Sequence, residues 1–222
     1  MNYALSPQPT YRLIPSRFPP IGLFDTVATP ADLAQVMELA GWTNDRLVAG
    51  RIDRLPRSEW VHGRANASIV MAAFLHASPT GTRFNGPDLG AWYASADIKT
   101  SATEVGHHLR REAVAQRVPG LSRTYRAYSA RLRGDYVDIQ SLQTTMPDLY
   151  LPDSYAASQV YGESIRKAGD AGILYDSVRL KGGVNVAAFL PSFVLDVTQA
   201  DHFEISVAAD AKHINVRKLA TP

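Results

Sequence analysis

Residues 172–197 read GILYDSVRLKGGVNVAAFLPSFVLDV, and this stretch indicates the fold class most clearly. It predicts strands over 173–178, 184–190 and 193–197, because short apolar runs here are separated by Gly, Asp and Pro. A fourth strand is predicted over 203–207, where apolar and polar residues alternate. The C-terminal third of the chain is therefore expected to form strands joined by hairpin-like connections.

Upstream of this stretch, helical and strand patterns are mixed. Strands are predicted over 11–14, 89–95, 125–133 and 136–139. Helices are predicted over 29–41, 66–74 and 99–111, and a fourth begins at Asp153; the first opens with a capping Thr29 and Pro30. Together these patterns predict an α+β fold, a single domain over 1–222 with a mixed, mostly antiparallel sheet and flanking helices. Residues 1–9 and 209–222 are expected to be peripheral tails.

The composition is that of a globular protein. The chain has 222 residues, of which 45% are hydrophobic and 20% charged, and it has no cysteine. Disulfide frameworks, thiolate nucleophiles and sulfur-based zinc sites are therefore excluded. The first residues lack the basic and then apolar pattern of a secretory signal, and the apolar run near residue 70 is too short to cross a bilayer. We expect a soluble, cytoplasmic protein with no membrane partner.

The net charge of +2 conceals a basic stretch, residues 110–133, which holds seven Arg and one Glu. Such a stretch could contact nucleic acid, form a solvated face or dock an acidic protein. Its arginines are spread over a predicted helix end, a loop and a strand, with only Tyr125 and Tyr128 as aromatic neighbours. The last two interpretations are therefore favoured over direct nucleic-acid binding.

The common catalytic and nucleotide-binding motifs are absent from the sequence. There is no G-x-G-x-x-G after a strand, no Walker loop, no G-x-S-x-G and no HExxH. Glu104 and His108 are spaced i,i+4 on a predicted helix and could hold a metal, but the spacing shows no third ligand. A polar helix face is the favoured interpretation, and no metal is predicted.

Three polar side chains stand out in the middle of the chain. Arg83 follows a turn in GTRFNG (81–86), Tyr93 lies in AWYAS (91–95), and Glu104 lies in the small-residue segment SATEV (101–105). Arginine suits bidentate binding of phosphate or carboxylate. A glutamate in a partly apolar setting suits stabilising a positive charge or orienting a nucleophile. By themselves these residues predict an anion-binding cleft.

The order and spacing of these segments resemble the RES-domain family, named for its Arg, Glu and Ser, the toxins of bacterial RES–Xre toxin–antitoxin modules. Gly-x-Arg-Phe-Asn is followed by a Tyr ten residues after the Arg, by Ser-Ala-x-Glu with its Glu twenty-one residues after the Arg, and by Gly-Ile-x-Tyr-x-Ser-Val-Arg from Gly172. The resemblance runs from about residue 10 to residue 200 and takes in 11–12, 24–25 and 43–46. Asn85-Gly86-Pro87-Asp88 departs from the family's usual Asn-x-Pro-Gly at its last position, where Asp88 adds an acidic residue beside the turn.

The resemblance implies an ADP-ribosyltransferase-like fold and an enzyme that degrades NAD+. The nicotinamide–ribose bond would be cleaved by hydrolysis or by phosphorolysis, with NAD+ as substrate, inorganic phosphate as a co-substrate in the second case, and no permanently bound cofactor. Glu104 would support the oxocarbenium-like ribose and orient water or phosphate. Alternatives are ADP-ribosyl transfer, a non-catalytic protein that binds NAD or ADP-ribose, and a nucleic-acid-associated protein that uses the basic stretch.

The remaining roles are carried over from the motif positions. Arg83 would anchor the pyrophosphate or ribose, and Tyr93 would position the nicotinamide end. Ser177 would bind the ribose or hold Glu104, and Asn185 would add a supporting hydrogen bond. Two more substrate-binding residues are expected near the start of the chain, Tyr11 and Arg12.

The resemblance also implies a partner, an Xre-type antitoxin that covers the active-site entrance. DNA would be contacted through this antitoxin at the operator, and a homodimer within the complex stays open. Because the basic stretch follows the Glu104 helix directly, we expect it to form a positive rim near the cleft or a docking face for the antitoxin.

Overall fold

The computed structural model describes residues 1–18, 22, 24–27, 29, 32, 35 and 50–220. In this part of the chain nine strands form one sheet, in the order β1-β5-β6-β7-β3-β2-β4-β8-β9. In chain order the strands are β1 (Tyr3–Leu5), β2 (Thr10–Pro15), β3 (Trp92–Ser95), β4 (Gly120–Leu132), β5 (Asp135–Asp138), β6 (Gly172–Asp176), β7 (Val184–Ala188), β8 (Val194–Ala208) and β9 (Ile214–Leu219).

Three α-helices are described with the sheet: α1 (Ala67–Leu75), α2 (Ile98–Gln116) and α3 (Ala156–Ala168). Short 3-10 turns lie at Arg57–Glu59, Pro147–Tyr150 and Pro191–Phe193. None of the helices in the described ranges has the length and apolarity needed to cross a membrane.

The sheet is mixed and mostly antiparallel, as predicted. All neighbouring strands are antiparallel except β5 and β6, which pair in parallel through Val137–Ile173 and Asp138–Leu174. The α+β fold class is therefore confirmed.

Helices cover both faces of the sheet. On one face, Phe74 of α1 belongs to a buried cluster with Trp92 and Tyr128. On the other face, Leu109 of α2 packs with Phe203, and Ile165 of α3 packs in a separate cluster. Since side chains alternate along a strand, β3 and β7 send one set of residues to each face. The face under α2 and α3 carries the cavity described below.

Several predicted elements change in extent. The predicted strands 193–197 and 203–207 are one continuous strand, β8, and the predicted strand 89–95 is shortened to β3. The predicted helix 99–111 extends to Gln116 in α2. The expected tails at 1–9 and 209–222 are corrected, because β1 and β9 pair along the two edges of the sheet.

The predicted helix 29–41 lies largely outside the described residues. At the predicted start of this helix, Thr29 Oγ1 accepts a hydrogen bond of 3.1 Å from the Asp32 backbone N–H, which is the contact that an N-cap residue makes.

Candidate active site

A cavity of about 500 Å³ lies where α2, the 78–83 loop and strands β3 and β7 meet. This size is in the range of small-molecule sites in proteins. The described residues that line it are Arg12, Leu13, Ser78, Thr80, Gly81, Thr82, Arg83, Tyr93, Ala94, Ser95, Ser101, Glu104, Val105, His108, Arg111, Tyr155, Tyr175 and Asn185. Glu104 is the one acidic residue among them.

Glu104 projects from α2 into this cavity and is held through one of its two oxygens. Ser177 Oγ donates to Oε1 at 2.7 Å, and Asn185 Nδ2 donates to the same atom at 2.7 Å. Within the described residues, Oε2 has no hydrogen-bond donor assigned to it. The carboxylate is thus fixed in orientation and keeps one oxygen for a ligand.

Ser177 is the first residue of the turn that joins β6 to β7, and this turn fixes its hydroxyl. The backbone N–H groups of Arg179 and Leu180 donate to Ser177 Oγ at 3.1 and 3.0 Å. A hydroxyl has one proton and two acceptor lone pairs. With two donors already pointing at the oxygen, the proton is directed to Glu104, so the geometry favours holding Glu104 over direct contact with a ligand.

Arg83 is anchored from behind and open towards the cavity. It is only 7% exposed, and its Nη1 donates to the carbonyl oxygens of Leu149 and Leu151 at 3.0 and 3.1 Å. Its guanidinium carbon lies 4.8 Å from the ring centroid of Tyr155. No carboxylate among the described residues pairs with Arg83, so its charge is available to an anion.

The loop that carries Arg83 is held by Tyr93. The Phe84 backbone N–H donates to the Tyr93 hydroxyl at 2.8 Å, and that hydroxyl donates to Asn85 Oδ1 at 3.0 Å. Gly81 has a φ of +70° and a Cβ there would lie 2.2 Å from the Asn85 carbonyl, so only glycine fits the turn. Burial raises the pKa of Tyr93 to about 12, which keeps the phenol neutral. Tyr93 thus lines the cavity with its ring while its hydroxyl positions the loop.

Arg12 reaches the cavity from β2. Tyr11–Ser95 is the one register pair recorded between β2 and β3, and Arg12 Nη1 donates to the Tyr93 carbonyl at 3.1 Å. Its guanidinium carbon lies 5.0 Å from the Trp92 ring centroid. Arg12 Nε is buried and has no hydrogen-bond partner within the described residues, and burial lowers the pKa of Arg12 to about 10. Arg12 is therefore a second guanidinium at the cavity without an acidic partner.

Helix α2 also contributes His108 and Arg111 to the cavity lining. Glu104, His108 and Arg111 follow one another at helical spacing and all line the cavity. The described residues contain no group of three His, Cys, Asp or Glu placed to hold a metal ion. Glu104 and His108 therefore share a cavity whose other charged groups are arginines.

Five of the seven arginines of the basic stretch contact partners within the protein. Arg123 makes two hydrogen bonds to Glu112 at 2.9 and 2.8 Å, and Arg131 pairs with Asp196 at 2.5 Å. Three more of its arginines have local partners: Arg126 donates to the Phe18 carbonyl, Arg110 donates to the Ala211 carbonyl at 3.3 Å, and Arg133 lies 4.4 Å from the Phe193 ring centroid. Of the seven, only Arg111 lines the cavity. The expected positive rim is thus limited to Arg111.

The structure brings most of the predicted residues together. The cavity is lined by Arg12, Arg83, Tyr93, Glu104 and Asn185, and Ser177 contacts Glu104 directly. Tyr11 is the exception, because it is not among the lining residues although it pairs with Ser95 in the sheet.

Sequence reasoning did not assign several lining residues to the cavity, among them Ser95, His108, Tyr155 and Tyr175. The helical spacing from Glu104 was the available signal for His108. Ser95 comes two residues after Tyr93, and Tyr175 comes two residues before Ser177. Strand alternation could therefore have placed each of them on the same face as its predicted neighbour. Nothing in the sequence pointed to Tyr155.

The family model of the RES domain matches residues 51–208. Among solved structures, the chain is similar to one in the crystal structure of the M. tuberculosis MbcT–MbcA toxin–antitoxin complex, with a TM-score of 0.47 and 12% identity, over 89% of this chain and 86% of that chain. A search of curated proteins found no match.

Proposed function

Because this chain belongs to the RES-domain family, we propose that it cleaves the nicotinamide–ribose bond of NAD+ and acts as the toxin of a toxin–antitoxin module. One observation carries the proposal. A carboxylate held through a single oxygen faces the same cavity as three guanidiniums, those of Arg12, Arg83 and Arg111, that have no acidic partner among the described residues. The toxin role and the Xre-type antitoxin partner rest on the family resemblance.

The charges of the cavity suit those of NAD+. The substrate carries two negative phosphates at one part and a cationic nicotinamide ring at another. Arg12 and Arg83 offer fixed donors for the pyrophosphate, since guanidinium groups bind phosphate oxygens through paired hydrogen bonds. Glu104, the one acidic lining residue, suits the cationic end. The substrate would therefore be oriented by charge at both ends.

The same arrangement suits the bond-breaking step. When the bond between the ribose C1 and the nicotinamide nitrogen breaks, its electron pair leaves with the nitrogen and neutralises the pyridinium, so no general acid is needed. Positive charge then builds up on the ribose, and Glu104 Oε2 would stabilise it. Water adds through oxygen to C1 and releases one proton; phosphate adds through one of its oxygens instead. Ser177 and Asn185 hold Glu104 in place for this step.

Aromatic residues provide the remaining surface of the cavity. The rings of Tyr93, Tyr155 and Tyr175 line it, and burial raises the pKa of Tyr175 well above its ordinary value. Tyr93 and Tyr175 are therefore neutral at physiological pH. We assign the three rings to packing against the nicotinamide, ribose or adenine rings.

The test is to incubate the purified protein with NAD+ and to measure the released nicotinamide by liquid chromatography. Glu104→Gln keeps the shape but removes the charge, and we expect the rate to fall by at least about 100-fold, the size of effect seen when a charge-stabilising group is removed. Glu112→Gln is the matched control, because Glu112 lies on the same helix, pairs with Arg123 and does not line the cavity. It should retain the wild-type rate.

Running the assay with and without inorganic phosphate identifies the acceptor. Hydrolysis yields ADP-ribose, whereas phosphorolysis yields ADP-ribose phosphorylated at the ribose C1 and requires phosphate. Wild-type protein that binds NAD+ but leaves it intact would contradict the proposed activity and leave the binding-protein alternative.

A further inference from the structure

We propose that Ser95 is a positioning residue for Glu104 that acts through Asn185; this rests on the proposed function, in which Glu104 stabilises the reacting ribose. Ser95 Oγ donates to Asn185 Oδ1 at 2.7 Å, and Asn185 Nδ2 donates to Glu104 Oε1 at 2.7 Å. The three side chains form one chain of hydrogen bonds that begins in β3, crosses β7 and ends on α2.

The sheet register places the first two members side by side. Ser95 and Asn185 are directly opposite each other in the antiparallel pair of β3 and β7. Side chains at such positions project from the same face and lie close enough to interact. Both residues are 3% exposed, so water competes little for the bond between them.

The Ser95 hydroxyl determines which way the Asn185 amide faces. A side-chain amide has one acceptor oxygen and a donor nitrogen, and the two ends cannot be exchanged without changing every hydrogen bond. With Ser95 donating to Oδ1, Nδ2 is turned towards Glu104; the reverse orientation would set Oδ1 against the Glu104 carboxylate. Loss of the Ser95 hydroxyl leaves the buried Oδ1 without its donor and frees the amide to rotate.

Ser95 lines the cavity but is assigned a positioning role because its one proton is already donated to Asn185. The second donor to Glu104, Ser177, is fixed by the two backbone N–H groups of the β6–β7 turn. Each donor to Oε1 is therefore held from behind, one by the backbone and one by Ser95. Losing Ser95 loosens one of these two supports and leaves the other intact.

The experiment is a double-mutant cycle with Ser95→Ala, Asn185→Ala and both together, assayed for NAD+ cleavage. We expect Ser95→Ala to lower kcat about tenfold and to leave KM within about twofold, since Glu104 is misplaced while the arginines that bind substrate are untouched. In the Asn185→Ala background, Ser95→Ala should have no further effect, because the two residues act as one unit. Ser95→Thr, which keeps the hydroxyl, should restore most of the activity. Equal losses from Ser95→Ala in both backgrounds would overturn the proposal.

Ser6→Ala is the matched control for loss of a buried hydroxyl. Ser6 is 5% exposed, its hydroxyl accepts a hydrogen bond from Gln8, and it lies outside the cavity lining. Its kcat should equal that of the wild type. Thermal unfolding of all variants verifies that each is folded.

A second readout does not depend on activity. The side-chain amide protons of Asn185, identified by NMR as the pair of signals absent from Asn185→Ala, should exchange more rapidly with solvent in Ser95→Ala and be unchanged in Ser6→Ala. If the wild type does not cleave NAD+, the proposed function fails, while this measurement still tests the link between Ser95 and Asn185. An unchanged exchange rate of the Asn185 amide protons in Ser95→Ala would overturn the proposal.

Discussion

Two sets of arginines in this molecule have different surroundings. In the basic stretch, Arg123 and Arg131 form salt bridges with the carboxylates of Glu112 and Asp196. At the cavity, Arg12 and Arg83 are held only by carbonyl oxygens and aromatic rings, and no carboxylate in the described part of the chain pairs with them.

This difference shows which charges are free for a ligand. A salt bridge within the protein already neutralises its arginine, whereas a guanidinium held by carbonyl oxygens is fixed in place and keeps its full charge. The largest group of arginines along the sequence is the basic stretch. Arg12 and Arg83 are far apart in the sequence, so a local count of arginines does not detect them. We therefore predict that function depends on Arg12 and Arg83 and does not depend on the paired arginines Arg123 and Arg131.

Arg83→Met should have the largest effect in this comparison. The substitution keeps an apolar stem but removes the charge and both hydrogen bonds to the 149–151 carbonyls. We expect kcat/KM for NAD+ cleavage to fall by about 100- to 1000-fold, as when a fixed charge that stabilises a reacting group is lost. Nicotinamide release over a range of NAD+ concentrations measures the effect.

Arg83→Lys sharpens this prediction. Lysine keeps the charge but cannot reproduce the planar fork that donates to two carbonyls and stacks on Tyr155. It should therefore recover only a small part of the activity. Full recovery by lysine would mean that charge alone, without the fixed geometry, is sufficient.

Arg12→Met should have an intermediate effect and should separate activity from stability. Arg12 Nε is buried without a partner in the described residues, and burial lowers the pKa of Arg12 to about 10, so its charge is costly to the fold. We expect KM for NAD+ to rise about tenfold. The Tm should not fall, since methionine removes the buried charge.

Steady-state kinetics and a thermal melt of the same preparation of Arg12→Met test both statements. A variant that loses stability and keeps its KM would assign Arg12 to the fold instead of the ligand, and the comparison between the two sets of arginines would fail at this residue.

The sequence predicted the parts of the site that lie close together along the chain or on regular elements. The motif positions Arg83, Glu104, Ser177 and Asn185 meet as expected, because each lies on a strand, helix or turn whose type the local pattern indicates. The strand near 203–207 was also clear, since its alternation matches one buried and one half-buried face.

Contacts that depend on tertiary packing could not be predicted from the local pattern. Arg12, expected at the site from the family resemblance alone, donates to a backbone carbonyl of a neighbouring strand, and Tyr155 lines the cavity from the N-terminus of α3. Neither contact leaves a periodic signal in the sequence. β9 was missed because it is an edge strand with mostly exposed residues, and β8 was split because Thr198, Gln199, Asp201 and His202 interrupt its apolar pattern.

Arg123→Gln should leave NAD+ cleavage within twofold of the wild type and lower stability slightly. Arg123 and Glu112 form a two-point ion pair at the surface, away from the cavity, so we expect a loss of about 0.5 kcal/mol in the free energy of unfolding. Denaturant unfolding at pH 7 measures this loss.

The pH dependence of that loss has a defined sign. Arg123 lowers the pKa of Glu112 below its ordinary value of 4.5. A carboxyl with a lowered pKa in the folded state stabilises the protein above its unfolded pKa, and this stabilisation disappears as the pH falls through the folded value. The difference in stability between wild type and Arg123→Gln should therefore be constant above pH 4.5 and shrink below it. A difference that grows towards acidic pH would show that Arg123 acts through another group.

Arg131→Gln should have the smallest effect of all. Arg131 and Asp196 pair at 2.5 Å, but their side chains are 62% and 63% exposed, and exposed pairs contribute little because water and salt screen them. We expect Tm, NAD+ cleavage and salt-dependent binding to duplex DNA all to match the wild type. The DNA measurement is the informative one, because neutralising a phosphate-binding arginine would reduce the dependence of affinity on salt. A reduced salt dependence would show that Arg131 leaves Asp196 to bind phosphate, so that a charge paired within the protein is still available to a partner. An unchanged salt dependence would agree with the cavity arginines being the charges available to a ligand.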